Sequence, residues 1–296
     1  MPVTSSRAVA IVNPATRGKV SRIAELLRAA APPDTRLDIY PTGYAGHAAE
    51  LARLHAASAD LLIAVGGDGT VAEVAGAARA AKIPIGIIPG GSTNITAREL
   101  GIPTNTFLAA RLLFEDHTIR TIDAGISGDR VFLHMAGAGM DSLLFDLANP
   151  ALKRKVGWMA YLPAAFEALR RPLSSFTIRS EEMSIERVRS PLVLVANGPS
   201  IIAPVLQLDT RIRSDDGYLD VLVVTATRPA ELARVLARMA MRRMSGSPFV
   251  QAFKTREVEI AAEPEIAIQL DGDVFGTTPA RFTIDPGSVR IVVPRP

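Results

Sequence analysis

The run Leu61-Leu62-Ile63-Ala64-Val65, followed at once by Gly66-Gly67-Asp68-Gly69-Thr70, constrains this chain more than any other feature. An apolar run bounded by glycines reads as a buried strand. The glycines predict a turn, and Val71 to Ala81 predict a helix. A strand, a Gly-rich turn and a helix N-terminus bring free backbone N–H groups to one point, which suits phosphate. Asp68 is poorly suited to touch phosphate itself. It is better placed to hold a metal ion or the water between metal and phosphate. Glycines alone would fit an ordinary tight turn equally well; the order strand, glycines, Asp68, helix favours the anion site. It is not a Walker A sequence, because no Gly-Lys-Ser/Thr follows. The protein-kinase motifs do not occur together either.

The surrounding sequence alternates strand and helix. Ala8 to Val12 is a short apolar strand ended by Asn13-Pro14, and Val20, Ile23, Leu26, Leu27 and Ala30 keep helical spacing. Leu37 to Tyr40 predicts a second strand with a turn at Pro41-Thr42-Gly43, and Ala48 to His55 a helix with Leu51 and Leu54 inward. Ile85 to Ile88 predicts a strand, and a helix is expected from about Thr93 to Leu100, before Gly101 and Pro103. Such alternation implies a parallel sheet covered by helices. Loops at the carboxyl ends of parallel strands share one edge, where ligands bind. Four such loops offer polar groups there: Asn13 to Lys19, Pro41 to Gly43, Gly66 to Thr70, and Pro89-Gly90-Gly91-Ser92-Thr93-Asn94. Arg17 and Lys19 could reach phosphates or simply be solvated. Thr93 or Asn94 fits a helix N-cap as well as a ligand contact.

After about Thr121 the pattern changes. Ile119 to Ile126 and Arg130 to Ala136 flank Gly128-Asp129 as a hairpin would. β-branched apolar runs follow at Leu192 to Ala196, Leu219 to Thr225, Val258 to Ala261, Ile266 to Leu270 and Val289 to Val293. Helices are expected at about Val156 to Arg170 and Ala230 to Met241. The expected fold is an α/β nucleotide-binding domain with a parallel sheet, residues 1–123, and a mostly antiparallel β-sandwich, residues 124–284, with the active site in the interdomain cleft. A return of the segment from about 285 to 296 to the first domain is left open.

Composition narrows the function classes. Of 296 residues, 48% are hydrophobic, enough for a core, yet no apolar run is long enough to span a bilayer. Met1 to Arg7 lacks the apolar stretch of a signal peptide. Zero cysteines exclude disulfides, zinc-thiolate sites and a cysteine nucleophile. The simplest compartment is therefore the cytoplasm. A net charge of +3 suits an anionic partner, and with aromatics at only 5% there are few platforms for stacking nucleic-acid bases.

The later motifs are ambiguous in isolation. Asp215-Asp216-Gly217 and Asp271-Gly272-Asp273 lie beside apolar runs, where such segments are usually hairpin turns. If they face a phosphoryl group, their carboxylates could hold metal or accept a hydroxyl proton. Gly137-Ala138-Gly139-Met140-Asp141-Ser142 echoes a dinucleotide loop but lacks the βαβ unit around it, so that reading is rejected. Lys153-Arg154-Lys155 before Val156 to Leu162, with Trp158 and Tyr161, fits a helix resting on anionic membrane or a core helix with a solvated end. Arg242-Arg243 shares that ambiguity. His134, in an apolar strand, reads as a core histidine.

Together these motifs resemble the soluble bacterial diacylglycerol kinase family, whose catalytic domain is shared with eukaryotic diacylglycerol, sphingosine and ceramide kinases. The matching segments are Ile11-Val12-Asn13-Pro14 with Gly18-Lys19, Gly66 to Thr70 with Glu73, Pro89 to Asn94 with Ala97 and Leu100-Gly101, Asp215 to Val221, and Leu270 to Asp273. The resemblance implies ATP bound by Asn13, Lys19, Thr42, Gly66, Gly67, Asp68, Gly69, Thr70, Glu73, Gly91, Ser92, Thr93 and Asn94. It implies a metal-water network around Asp68 and a structural Mg²⁺ at Asp216, with backbone oxygens near Arg213 and Tyr218. It makes Asp273 the general base and Asp271 its support. It also implies a lipid acceptor, peripheral association with the inner face of the membrane, and a homodimer as one option, without nucleic acid. Two positions depart from the family: Ile95 stands where Asp is frequent, and Asp273 stands where Glu is usual. A NAD-kinase-like phosphotransferase and a non-catalytic lipid- or nucleotide-binding protein on the same fold are the alternatives.

Overall fold

The structure, a computed structural model, describes residues 7–16, 19–139, 173–202 and 206–295. The expectations for Arg17, for residues 140–142, for Lys153 to Lys155 and for the helix from Val156 lie outside the described residues. The chain divides into two compact units. One holds the described residues up to Ala124 and those from Gly287 onward; the other holds Gly125 to Pro286.

The first unit runs β1 (Arg7–Val12), α1 (Val20–Ala30), β2 (Arg36–Pro41), α2 (His47–Ala56), β3 (Leu61–Gly66), α3 (Asp68–Ala81), β4 (Ile85–Pro89), α4 (Ile95–Glu99), α5 (Thr106–Phe114) and β5 (His117–Ser127), whose last three residues lie beyond Ala124. Strand order is β2-β1-β3-β4, all parallel, and the end of the C-terminal strand joins parallel beside β4 with Ile291 opposite Ile85. Both faces of the central strands are buried, which is why β1 after Arg7 and the whole of β3 are unbroken apolar runs instead of alternating. The core gathers Ala8, Ala10 and Val12 of β1 and Ile63 and Val65 of β3. Ile23 and Leu27 of α1 and Ala109, Ala110 and Leu113 of α5 complete it.

Helix α2 corrects the expected facing. Its buried residues are Ala48, Ala52 and Ala56, while Leu54 is 72% exposed and Leu51 only half-buried. This helix packs on α3, whose buried face is rich in alanine. Alanines at i, i+4 and i+8 let the two helices approach closely, and that pushes the leucines off the contact. Helix α3 starts at Asp68, three residues earlier than the apolar spacing indicates, and α4 is shorter than expected. Helix α5 was not anticipated. It is capped by Asn105, whose side chain accepts from the N–H groups of Phe107 and Leu108.

The second unit continues with β6 (Arg130–Phe132), β7 (Met135–Gly139), β8 (Ser174–Ser180), β9 (Ser184–Ser190), β10 (Leu192–Ala196), β11 (Ser200–Ile202), β12 (Leu206–Gln207), β13 (Leu219–Val224), α6 (Pro229–Ala240), β14 (Val250–Thr255), β15 (Glu257–Glu263), β16 (Ala267–Leu270), β17 (Asp273–Thr277) and β18 (Ala280–Pro294). The hairpin at Gly128 forms, but its second strand stops at Phe132, and β7 joins a different sheet. One antiparallel sheet runs β14-β13-β10-β7-β16-β17; facing it, the start of β18 pairs with β15, and β8 and β9 follow. Phe132, Phe176, Val193, Val221, Ile260 and Phe282 fill the space between the sheets. Leu194, Leu222 and Val224 point the other way onto Leu232, Val235 and Met239 of α6. Strands β10 and β13 are thus covered on both faces, which explains their nearly unbroken apolar runs.

Candidate active site

In the first unit, four strand ends stand at one level. Val12 pairs with both Pro41 and Val65, and Val65 pairs with Ile88. The loops therefore leave the sheet side by side. The Asn13 N–H donates to the Val65 carbonyl at 2.9 Å, that of Thr42 to Val12 at 2.8 Å, and that of Gly90 to Gly66 at 2.8 Å. Strand β1 has β2 on one side and β3 on the other, so chain connections diverge there, the usual place for a ligand crevice in such sheets.

Two glycines explain how tightly the loops fit. A Cβ on Gly91 would sit 2.7 Å from the Cα of Gly67, so these loops touch backbone to backbone. A Cβ on Gly66 would lie 2.4 Å from the hydroxyl of Thr70, in the first turn of α3. Asp68 joins the two Gly-rich loops. One carboxylate oxygen accepts from the Thr96 N–H at 3.1 Å and the Thr96 hydroxyl at 3.4 Å; the other accepts from the Thr93 hydroxyl at 3.1 Å. Asp68, rather than Thr93 or Asn94, therefore serves the first turn of α4. Asn94 is buried in a left-handed conformation, and its amide both accepts from and donates to Gly91 at 2.9 Å. Its work is to shape the second loop. Ser92 and Thr93 are exposed on that loop, and Ile95 is buried.

A pocket of about 410 Å³ opens beside these loops, lined in part by Asn13, Thr42, Tyr44, Thr70 and Glu73. Four of those five were expected from sequence. Asn13 accepts from Ala15 N–H at 2.9 Å and its amide reaches the Thr70 hydroxyl at 3.5 Å. Glu73 is held on the pocket wall by the N-terminus of α2. Its two oxygens accept from Gly46 and Ala49 N–H, both at 3.2 Å, so it caps α2 and forms pocket wall. Lys19 is exposed at the N-cap of α1. Tyr44 was missed. Its ring stacks on His47 at 4.4 Å with planes 4° apart, and its hydroxyl donates to Glu50 at 2.6 Å. The signal was an aromatic directly after the Pro41-Thr42-Gly43 turn.

The second unit holds the remaining carboxylates. Asp271 and Gly272, both with positive φ, form the two-residue turn between β16 and β17. The Asp271 carboxylate accepts from Leu133, His134 and Met135 N–H at 2.7, 2.9 and 3.0 Å. Burial pushes its carboxyl up, while His134 and these three donors pull the other way. His134 is itself buried, beside this carboxylate. Asp273 begins β17 opposite Leu270 and is exposed. One carboxylate of the pair is fastened to the fold, and the other faces solvent.

Asp216, the expected Mg²⁺ position, has partners on both carboxylate oxygens. One Asp216 oxygen accepts from the Tyr218 N–H at 3.2 Å, and the other is bound by the ammonium of Lys254. Arg213 turns its guanidinium to Asp215 at 3.0 Å. Among the described residues no group of three or more His, Cys, Asp or Glu is arranged to hold a metal. The Asp216 carboxylate is engaged by a cation that the chain itself supplies, the Lys254 ammonium.

Comparison with known proteins now bears on these features. Residues 7–126 match the diacylglycerol kinase catalytic domain, and residues 134–293 match the YegS C-terminal NAD kinase beta sandwich-like domain. Diacylglycerol kinase of Bacillus subtilis (strain 168) is 31% identical over 268 residues, covering 86% of this chain and 83% of that protein. The chain belongs to the diacylglycerol kinase family. It is thus a kinase, and ATP is the donor that such a catalytic domain implies. An uncharacterized Synechocystis protein, sll0036, is 29% identical over 240 residues, 79% of this chain; the chain spans only 54% of that protein's length. A crystal structure from Bacillus anthracis str. Sterne, whose name carries the same kinase, superposes with a TM-score of 0.81 at 24% identity, over 99% of this chain and 97% of that one. That likeness is one of fold. The loop constellation of the first unit falls within the matched kinase catalytic domain, and Asp271 and Asp273 within the matched sandwich.

Proposed function

We propose that this diacylglycerol kinase family member is an ATP- and Mg²⁺-dependent lipid kinase whose acceptor is the hydroxyl of diacylglycerol or a related lipid. The observation that carries this reading is the set of four strand-end loops in register around the pocket of Asn13, Thr42 and Thr70, within the matched catalytic domain. Backbone N–H groups at the N-terminus of α3, from Gly67 to Thr70, and that of Ser92 receive the phosphates, with Lys19 adding charge. A Mg²⁺ ion carried by the nucleotide would supply charge neutralisation for the transferring group, with Asp68 the carboxylate nearest the Gly-rich loops to hold its water. Asp68 orients that end of the nucleotide by holding the two Gly-rich loops together and keeping an acceptor lone pair toward water.

In the reaction the lipid hydroxyl oxygen bonds to the γ-phosphorus, the bond to the β-phosphate oxygen breaks, and ADP leaves. The hydroxyl proton passes to Asp273, the exposed carboxylate of its pair. Asp271 supports it by fixing the turn to Leu133, His134 and Met135. Most of the rate gain is positioning and electrostatic stabilisation. The acceptor being a membrane lipid, the enzyme works from the cytoplasm at the inner membrane face; no helix among the described residues is long and apolar enough to cross a membrane.

The test is ADP release by purified protein with diacylglycerols, sphingoid bases, ceramides and NAD as separate acceptors. Phospholipid formed in step with ADP is the expected outcome. Absence of any phosphorylated lipid across the panel sinks the reading, and phosphorylation of NAD alone selects the NAD-kinase-like one.

A further inference from the structure

The cation expected at Asp216 has a resident substitute. Asp216 lies in the turn Asp215-Asp216-Gly217-Tyr218 that leads into β13, and Gly217 supplies its left-handed residue. Two residues into β13, Asp220 lies directly opposite Lys254 of β14. Directly opposed residues of antiparallel strands project on the same face. The Lys254 ammonium reaches both sides: it donates to Asp216 and stands 3.4 Å from the Asp220 carboxylate, whose side chain is only 14% exposed. Arg213 meanwhile neutralises Asp215. The two strands and the turn thus converge on one positive charge already carried by the chain.

A divalent ion at the same carboxylate would face this ammonium at close range. Mg²⁺ also sheds its water reluctantly and is seldom held by a dedicated all-protein cage without a phosphate ligand. Lysine gives a point charge with three donors, enough to serve two carboxylates at once. We propose that Lys254 is the structural cation of the Asp216–Asp220 site, tying the turn before β13 to β14 in place of a divalent metal. The proposal concerns folding of the second unit and stands apart from which hydroxyl is phosphorylated.

The test uses the full chain without nucleotide, so its failure is distinct from failure of the kinase reading. Wild-type protein should unfold at the same temperature in EDTA and in millimolar Mg²⁺ at matched ionic strength. Lys254→Met should lower that temperature by about 5 °C in EDTA. Millimolar Mg²⁺ should restore part of the loss, and adding Asp216→Asn to that variant should abolish the restoration. A Mg²⁺-dependent rise in the wild type that Asp216→Asn removes would overturn the proposal. So would a Lys254→Met protein that is neither destabilised nor responsive to Mg²⁺. If Lys254→Met does not fold, Mn²⁺ titration of wild type followed by electron paramagnetic resonance decides: no bound Mn²⁺ is expected, and one bound Mn²⁺ lost in Asp216→Asn refutes it.

Discussion

The glycine-loop edge of the first unit and the carboxylate turns of the second are built differently. At the loop edge the shape is set by backbone. Gly67 and Gly91 touch along their main chains, and Asp68 and Asn94 spend their side chains holding loops in shape. In the second unit the work is done by side chains, and sequence neighbours have opposite fates. Asp271 is anchored by three N–H groups, Asp216 is bound by Lys254, and Asp273 faces solvent. A motif of glycines therefore reports its structure directly, whereas a motif of aspartates reports only that carboxylates are present.

Substitutions can break or sharpen that contrast. The largest effect is expected from Asp68→Asn, which should lower kcat by about a thousandfold while circular dichroism and the unfolding midpoint stay near wild type. Turnover at the wild-type rate would remove Asp68 from the mechanism. Asp271→Ala and Asp273→Ala should then separate cleanly. Truncating Asp271 leaves three N–H groups without their acceptor and should cost about 3 kcal/mol in urea unfolding. Truncating Asp273 should leave stability within about 0.5 kcal/mol and lower kcat about a hundredfold. Equal stability losses in the two variants would show that the turn does not divide the roles as described.

Gly91→Ala should act on the other side of the comparison. Its Cβ meets the Gly67 backbone, so the loops must part, at a cost of about 2 kcal/mol and with a raised KM for ATP; an unchanged KM would mean that the close approach is dispensable. The last effect is on stability alone and concerns Asp209, a buried carboxylate that precedes the Asp216 turn. Burial would raise its pKa, but hydrogen bonds from Arg211 and Ser245 outweigh it and hold the group at about 2, below its ordinary 3.8. A depressed carboxyl pKa adds stability that is fully present above the unfolded value and is lost as pH falls. Wild-type protein should thus lose about 2 kcal/mol between about pH 4 and pH 2 through this group. Asp209→Asn should be less stable at neutral pH and flatter over that range in acid titrations of unfolding.

Much of the fold was legible because its strands are covered on both faces. Leu61 to Val65 and Leu192 to Ala196 announce themselves by unbroken apolar runs. Strands β8, β9 and β14 did not: β8 and β14 set half-buried or exposed polar residues between their buried ones, and β9 buries only Ser190. Only Val289 to Val293 of β18 could be read, because its first half is partly exposed and mixed in polarity. The inward face of α2 was misread because leucine outranks alanine in hydrophobicity, while close helix packing favours alanine. At the candidate site the Gly-rich loops could be read locally. The anchoring of Asp271 by Leu133 and the pairing of Asp216 with Lys254 could not, being contacts between residues 138 and 38 positions apart. The sequence groups Glu73 with Asn13, Thr42 and Thr70, which line one pocket with it, but only the structure shows its oxygens occupied by Gly46 and Ala49.

The most direct test of the central claim follows the label. Purified protein is incubated with a membrane lipid extract and γ-labelled ATP, and the extract is analysed by mass spectrometry. The account predicts one lipid class that gains a single labelled phosphate in proportion to ADP formed, with the signal lost in Asp68→Asn. ADP formation with no labelled lipid would contradict it.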